Sequence, residues 1–440
     1  MASAAGGAPP ELYASHQKVY PREIGGRYAT LRWIALCVLL GLFYGLPWVQ
    51  WDGRQAVLFD LPERKFYIFA LTFFPQDFYL LTWLLIIAAL SLFFFTALAG
   101  RLWCGYACPQ TVWTQVFVWM ERIAEGNWAR RIRLDKGPFS TGKLGRKALK
   151  QALWISFALF TGFAFVGFFV PIRSLAPSLV AGGIGFWAWF WILFYGFATY
   201  GNAGFMREQV CMYLCPYARF QSAMFDRDTL LISYDEARGD CIDCTICVQV
   251  CPTGIDIRKG LQYECIACAA CIDACDPVMD KVGRPRGLIR YSTQAEMEGR
   301  KSRLLRPRVV IYGTLLSLLV GGFALAIALR VPVNVDVLRD RNTLYRGLPD
   351  GGIENVFSIR IINKDQRSHD FRITTMGLPD ATVDSDATLH PVPAEAVRTV
   401  VVRVRVPPDH AHGGHDFQVL VVAADAPGIA VRSRARFFAD

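Results

Sequence analysis

The chain has 440 residues, 53% of them hydrophobic, with 31 Phe, 12 Trp and a formal charge of +10. That apolar content excludes an ordinary soluble enzyme and calls for a membrane. The charge does not argue for nucleic acid, because the basic residues cluster beside apolar runs, nine of them between Lys281 and Arg308, where topology and anionic headgroups account for them.

Residues 1–27 open with MASAAGGAPPELYASHQ, which lacks the charged-then-apolar layout of a signal peptide and reads as a flexible tail. Residues 28–220 read as a membrane domain with four spans, at 33–51, 78–99, 152–170 and 184–200, each near the roughly 20 residues that cross a hydrocarbon core. A lone Cys37 in the first of them is a small packing residue. The apolar piece 66–74 is too short to span, and with Arg64, Lys65 and Asp77 beside it is expected to lie along the surface or fold back.

Lysine and arginine set the orientation. Ten of them lie between Arg101 and Lys150, against Arg173 alone in the link between the third and fourth spans, so the positive-inside rule places the former in the cytoplasm. The segment after the fourth span is then cytoplasmic too. A fifth span at 309–329, within a segment running 301–332, carries the remainder to the outside. Cysteine usage agrees, since twelve of the thirteen sit in motifs on the reducing side and the outer region has none.

The second span runs into LWCGYACPQTVW and the fourth into QVCMYLCPYARF, so each ends in Cys-x3-Cys-Pro and the pair looks like an internal repeat. If the helices persist, Cys104 and Cys108, and likewise Cys211 and Cys215, share one helix face a turn apart. Pro109 and Pro216 either open a new helix or kink the old one. Thiols at such a spacing suit Cu(I), zinc or an iron–sulfur cluster, whereas the bland alternative is close helix packing by small residues. Met206, Met212 and Met224 lie nearby as thioethers or as filler.

Residues 221–300 carry Cys-x2-Cys-x2-Cys-x3-Cys twice, as CIDCTICVQVCP and CIACAACIDAC. This spacing wraps two 4Fe-4S cubanes, with three thiolates of each run on one cluster and the fourth reaching to the other. The expected sets are Cys241, Cys244, Cys247 and Cys275 for one cluster, and Cys251, Cys265, Cys268 and Cys271 for the second. A pair of zinc knuckles is the alternative, but a four-thiolate site has no use for a third cysteine on the same repeat. Pro252 follows the first run directly, whereas Pro277 comes one place late in the second.

Beyond the last span, over 333–440, VFSIRI, RTVVVRVRV, FQVLVVAA and AVRSRARF read as strands separated by PDGG, NKDQ, PPDHAHGG and DAPG turns. About seven strands in about 100 residues indicate an immunoglobulin-like β-sandwich. All six histidines, His16, His369, His390, His410, His412 and His415, lie outside the spans, so the chain supplies no bis-histidine haem within the membrane. His410, His412 and His415 form an HAHGGH loop beside Asp409 and Asp416, a candidate copper or zinc site or a solvated loop. The fold class is therefore an α-helical membrane bundle of about five spans, with a two-cluster ferredoxin insert of bacterial type and a C-terminal β-sandwich.

Paired hairpins ending in WCGYACPQTVW and VCMYLCPYARFQSAMFD, a double cluster run, one more span and an external sandwich make a recognisable order of parts. From about Tyr28 to Asp440 the chain resembles the FixG/RdxA/CcoG family of cytochrome c oxidase accessory proteins. The resemblance implies a bacterial inner-membrane location, two 4Fe-4S clusters, and reduction of Cu(II) to Cu(I) for assembly of a cbb-type oxidase, with that oxidase or its copper-assembly factors as partners. Copper would then be held near Cys104, Cys108, Cys211 and Cys215. Membrane ferredoxins that oxidise quinol and feed periplasmic reductases resemble residues from about Gly100 to Asp280, so an electron relay is an alternative, and an assembly scaffold without redox activity is another. No GxGxxG after a strand announces a nicotinamide or flavin fold, so the electron donor is unidentified.

Overall fold

The computed structural model describes residues 18–340, 343–410 and 412–439. Most of the tail expected over 1–27, with His16, therefore lies outside the described residues. The chain folds into two compact units, one holding the residues to Trp48 and Ile86–Ser317, the other Val49–Leu85 and Leu318–Asp440.

The helices in chain order are α1 (Arg27–Gly45), α2 (Phe78–Ala99), α3 (Leu102–Tyr106), α4 (Pro109–Glu125), α5 (Trp128–Lys136), α6 (Thr141–Val166), α7 (Ile172–Val180), α8 (Phe186–Thr199), α9 (Pro216–Met224), α10 (Ile246–Gln249), α11 (Ala270–Lys281), α12 (Gln294–Met297) and α13 (Pro307–Ala328). Four segments, Arg27–Trp48, Pro75–Ala99, Thr141–Val166 and Pro307–Ala328, are helical, long and apolar enough to cross a membrane. None of the apolar window of α13 is buried inside the protein, which is the signature of a helix whose solvent is lipid.

The segment expected as a span at 184–200 is not among these four. It forms the 14-residue α8, continued by π-helical turns over Tyr200–Met206. Even so, it runs antiparallel back along α6: a Cβ on Gly162 would sit 2.2 Å from the Ile192 carbonyl oxygen, and Tyr200 donates a hydrogen bond to Gln151 at 2.8 Å. Only glycine permits that approach of two backbones. The end of the π segment therefore returns to the level of the start of α6.

In the same unit a two-stranded sheet, Leu231–Tyr234 with Ile289–Ser292, closes the cluster region. Ile232, Cys247, Ile257, Ile272 and Ile289 form its small core. Asp273 on α11 accepts hydrogen bonds from the backbone amides of Tyr28 (3.2 Å) and Ala29 (2.6 Å). A carboxylate from the cluster region thus caps the first turn of α1, where the orphan donors and the helix dipole favour it.

The second unit is a sandwich of two antiparallel sheets. One has the order 382–385, 397–406, 353–363, 333–339, with 346–347 beside 353–363; the other runs 390–392, 369–376, 414–423, 430–438. Alternate residues point inward, so Phe357, Ile361, Phe371, Val402, Val421 and Phe437 are fully buried. The piece expected to lie along the surface or fold back, 66–74, folds back on itself, its strands Lys65–Ile68 and Leu71–Phe73 pairing antiparallel in a small sheet with Val57–Asp60. Phe66, Tyr67 and Ile68 are the aromatic and β-branched types that strands favour. That sheet is tied to the sandwich by Arg54 on Glu395 (2.9 Å), and Asp77 just after it by Lys364 (2.7 Å) and Arg330 (2.6 Å).

Candidate iron–sulfur and thiol sites

The two cysteine runs adopt the same backbone. Asp243 and Thr245 in the first, and Ala267 and Ala269 in the second, have φ between 52° and 58°. These residues flank the middle cysteine of each triplet, and a left-handed residue on either side bends the chain around a point in front of it. None of the four is glycine, so each carries a conformational cost that the loop must recover from what it encloses.

One small cavity is lined by Cys241, Cys244, Cys247 and Cys275, with Ile246 and Leu288 among its apolar walls. A second is lined by Cys251, Cys265, Cys268 and Cys271, and Cys247 lines it as well. Each set takes three cysteines from one run and one from the other. Burial pushes the thiols of Cys265 and Cys275 up to about 12 and that of Cys247 up to about 11, because a lone thiolate is poorly solvated there. Iron supplies the missing positive charge, so four thiols around one apolar cavity fit a cubane and would release their protons on binding it. Among the described residues, no three His, Cys, Asp or Glu side chains are drawn close enough to hold a single metal ion.

The remaining motif cysteines do not share helix faces. Cys104 lies in α3, and Cys108, in extended conformation, caps α4, whose first residue is Pro109. Likewise Cys211 lies in π-helical turns, Val210–Leu214, and Cys215 caps α9 ahead of Pro216. Proline opens each new helix because its missing N–H is not needed in the first turn, and the i, i+4 stacking expected of an unbroken helix is lost. The four thiols still lie near enough to raise one another's pKa, although no three of them are drawn close enough to hold a single metal ion. Cys104 is pushed up to about 11 by burial and by Cys108 and Cys215, and Cys211 up to about 12 by burial and by Cys108, Cys104 and Cys215. Cys104 also donates to Gln221 at 3.7 Å.

This thiol site lies against the second cluster loop. A Cβ on Gly105 would stand 2.8 Å from the Ile266 carbonyl oxygen and 2.9 Å from Cys268 Cα. Arg101 reaches the Cys265 carbonyl at 3.5 Å, and Arg32 donates to the carbonyl of Cys268. A buried ionic network supports the other side: Glu121, fully buried, meets Arg207 (2.8 Å) and Arg131 (3.2 Å), and Glu125 meets Lys150 (2.8 Å) and Lys147 (2.9 Å). Arg207, with φ 40°, sits between the two π-helical stretches just before Cys211. Burial works against the Glu121 carboxylate, yet Arg207, Lys18 and Arg131 hold it down at about 2. Sequence reasoning missed this network, although acidic residues recurring at i, i+4 on an amphipathic helix opposite basic ones were its visible trace.

Among the described residues, histidine adds no metal-holding group. Buried His369 is held between Asp425 (2.7 Å) and Asp365 (3.0 Å). His412 and His415 are exposed, with the ring of His415 2.7 Å from the His412 carbonyl, and the His410 side chain lies outside the described residues.

Three family models match the chain: a 4Fe-4S dicluster domain at residues 206–240 and 236–294, the IG-like fold at the C-terminal of FixG at 323–440, and a 4Fe-4S binding domain at 81–131. Protein RdxB of Cereibacter sphaeroides is 40% identical over 422 residues, covering 88% of each chain. Protein RdxA of the same organism is 39% identical over 421 residues, 89% of this chain and 90% of the relative. Nitrogen fixation protein FixG of Rhizobium meliloti is 36% identical over 427 residues, 84% and 82%. Among solved structures, a FixG-related protein from Vibrio parahaemolyticus aligns with 25% of this chain and 97% of its own, at 22% identity and a TM-score of 0.23.

Proposed function

The chain belongs to the FixG/RdxA/RdxB family of iron–sulfur proteins, and from that premise we propose that it is a membrane oxidoreductase that reduces Cu(II) to Cu(I) for assembly of a cbb-type haem–copper oxidase. The observation that carries this reading is the close approach of Gly105, on the turn between Cys104 and Cys108, to Cys268 of the second cluster loop, with Cys211 and Cys215 near enough to act on the same thiols. Cys241, Cys244, Cys247 and Cys275 hold one cluster, and Cys251, Cys265, Cys268 and Cys271 the other. When bound, such clusters supply one-electron transfer at potentials that extend low enough to reduce cupric ion. The four outer thiols favour the cuprous product, so capture and reduction are coupled: each copper takes one electron, and the thiols that bind it release their protons. The basic segment 101–150 keeps the thiols and clusters in the cytoplasm and the sandwich in the periplasm, where it docks the oxidase or its copper-assembly factors.

The test is anaerobic mixing of dithionite-reduced protein with Cu(II). Cluster bleaching and chelatable Cu(I) should appear together, at about two copper per chain from two one-electron clusters. Removing Cys104 and Cys108 together should abolish tight Cu(I) binding with iron intact. Copper binding indifferent to all four thiols would end this reading.

One observation favours a second reading. The 4Fe-4S binding model at 81–131 contains Cys104 and Cys108 and none of the cysteines lining the two cavities. On that reading the four thiols hold a third cluster, and iron content decides: about eight atoms per chain for two cubanes, about twelve for three.

A further inference from the structure

The first unit contains a cavity that the copper reading does not use. It holds about 210 Å³ between the N-terminal segment 19–24, α1, α4 and the second cluster loop, with Cys211 at its margin. Its walls combine apolar side chains, Ile24, Trp33, Val118, Pro252 and Ile266 among them, with the charged Arg22, Arg32, Arg122, Arg207, Glu23 and Glu208. Trp33 is exposed on α1, a helix of membrane-crossing length, which is where an aromatic residue marks the bilayer boundary. The far wall is made by Cys268 and Ala270 of the cluster loop.

The lid over this space is built in. Arg22 donates its backbone amide to the Gln249 carbonyl at 2.8 Å, Arg131 donates to the Pro21 carbonyl at 3.0 Å, and Tyr20 donates to Asp135 at 2.6 Å. Segment 20–22 is thereby tied both to the cluster region and to α5. Glu23, which lines the cavity, keeps a buried Oε1 with no hydrogen-bond donor, 3.5 Å from Arg131. That oxygen keeps an acceptor position open, and a ligand hydroxyl would fill it.

We propose that this cavity binds the ring of a membrane hydroquinone and that this is the electron donor for the copper reduction proposed above, on which the inference rests. Size separates it from the soluble donors: 210 Å³ falls below the roughly 300–1,000 Å³ of pockets for drug-sized ligands, so one substituted ring enters and a dinucleotide or flavin does not. The apolar part of the lining and the exposed Trp33 fit a donor ring that arrives from the bilayer, and the arginines and amides beside it fit its oxygens. The balance closes. Breaking the two O–H bonds of the hydroquinone gives a quinone, two protons and two electrons; the electrons match two clusters that take one each, and the protons leave one after the other through Glu23 to water.

The test uses the full chain with its clusters in phospholipid nanodiscs, labelled by light with an azido-ubiquinone in competition with decyl-ubiquinone. Label should map to segments 19–33 and 110–122 and saturate. Val118→Phe, which fills the cavity, should weaken labelling by at least about tenfold, or 1.4 kcal/mol, with iron content and dithionite-driven copper reduction unchanged. Gln115→Leu, which removes a lining amide without adding bulk, should weaken it severalfold. Glu23→Gln should keep the label yet slow cluster reduction by decyl-ubiquinol and flatten its pH profile, which a merely structural role would not do. Label that never saturates, that ignores both Val118→Phe and Gln115→Leu, or that is displaced by reduced nicotinamide would overturn the proposal. In the unsubstituted protein, no saturable quinone binding with copper reduction by dithionite retained would remove this inference alone, and quinone binding with no copper reduction by dithionite would remove the copper reading alone.

Discussion

The two cysteine systems differ in how the chain places their thiols. In the cluster runs the spacing of two, with a left-handed residue on each side of the middle cysteine, bends a short loop around its own contents. In the Cys-x3-Cys-Pro repeats the proline starts a new helix, and the two cysteines of each pair end up in different elements. Four thiols meet there only because α3, α4, the π-helical turns and α9 are held together by packing and by the Glu121 network. A loop with local instructions should fail locally when one ligand is lost. A site assembled by tertiary contacts should fail when its supports are removed, even with every thiol present.

The largest effect should come from the loops. Cys251→Ser should lower iron from about eight atoms to about four by removing one cubane, and the lost spectroscopic signature should be that of the cluster lined by Cys265, Cys268 and Cys271. Loss confined to the other cluster would break the cross-run assignment.

Next is the support of the thiol site. Glu121→Gln leaves Arg131 and Arg207 buried beside an uncharged amide, and breaking a buried ion pair from one side costs about 3–5 kcal/mol. Thermal unfolding should register that loss, and thiol labelling at Cys211 should rise sharply while the cluster spectrum persists in whatever folds. Equal damage to clusters and thiols would erase the distinction drawn between them.

A smaller effect is expected where the two systems touch. Gly105→Ala places a methyl within 3.0 Å of the Ile266–Cys268 backbone, an overpacking cost of about 1–3 kcal/mol. Electron transfer from reduced clusters to bound copper should slow with both iron and copper content normal. Unchanged kinetics would mean that the contact does not set the path.

Asp273→Ala should have the smallest effect. It removes the cap on α1 at a cost of about 1 kcal/mol, visible as faster amide exchange over residues 27–31. The clusters should be unaffected, since Asp273 lies between Cys271 and Cys275 without lining either cysteine cavity.

The cluster loops were legible because their determinants are local: cysteines at offsets of three and four, on a loop that wraps its contents. The sandwich was legible for a similar reason, since alternation along Val397–Val406 and Gly414–Ala423 assigns each side chain to core or solvent. Apolar length announced the long helices in the same way. The return of the chain after α6 was harder to read, because α8 is short and its continuation is π-helical, a change of hydrogen-bonding register that composition does not signal. The strands at 65–73 were hidden because their partner strand and the sandwich residues that hold them, Glu395 and Lys364, are distant in sequence. Cys-x3-Cys-Pro by itself left two backbones open, a kinked helix or a break, and the packing of α3 on the second cluster loop decided for the break. Local spacing determines a loop that must close on its own contents; where four side chains come from separate elements, only the tertiary contacts that carry those elements decide whether they meet.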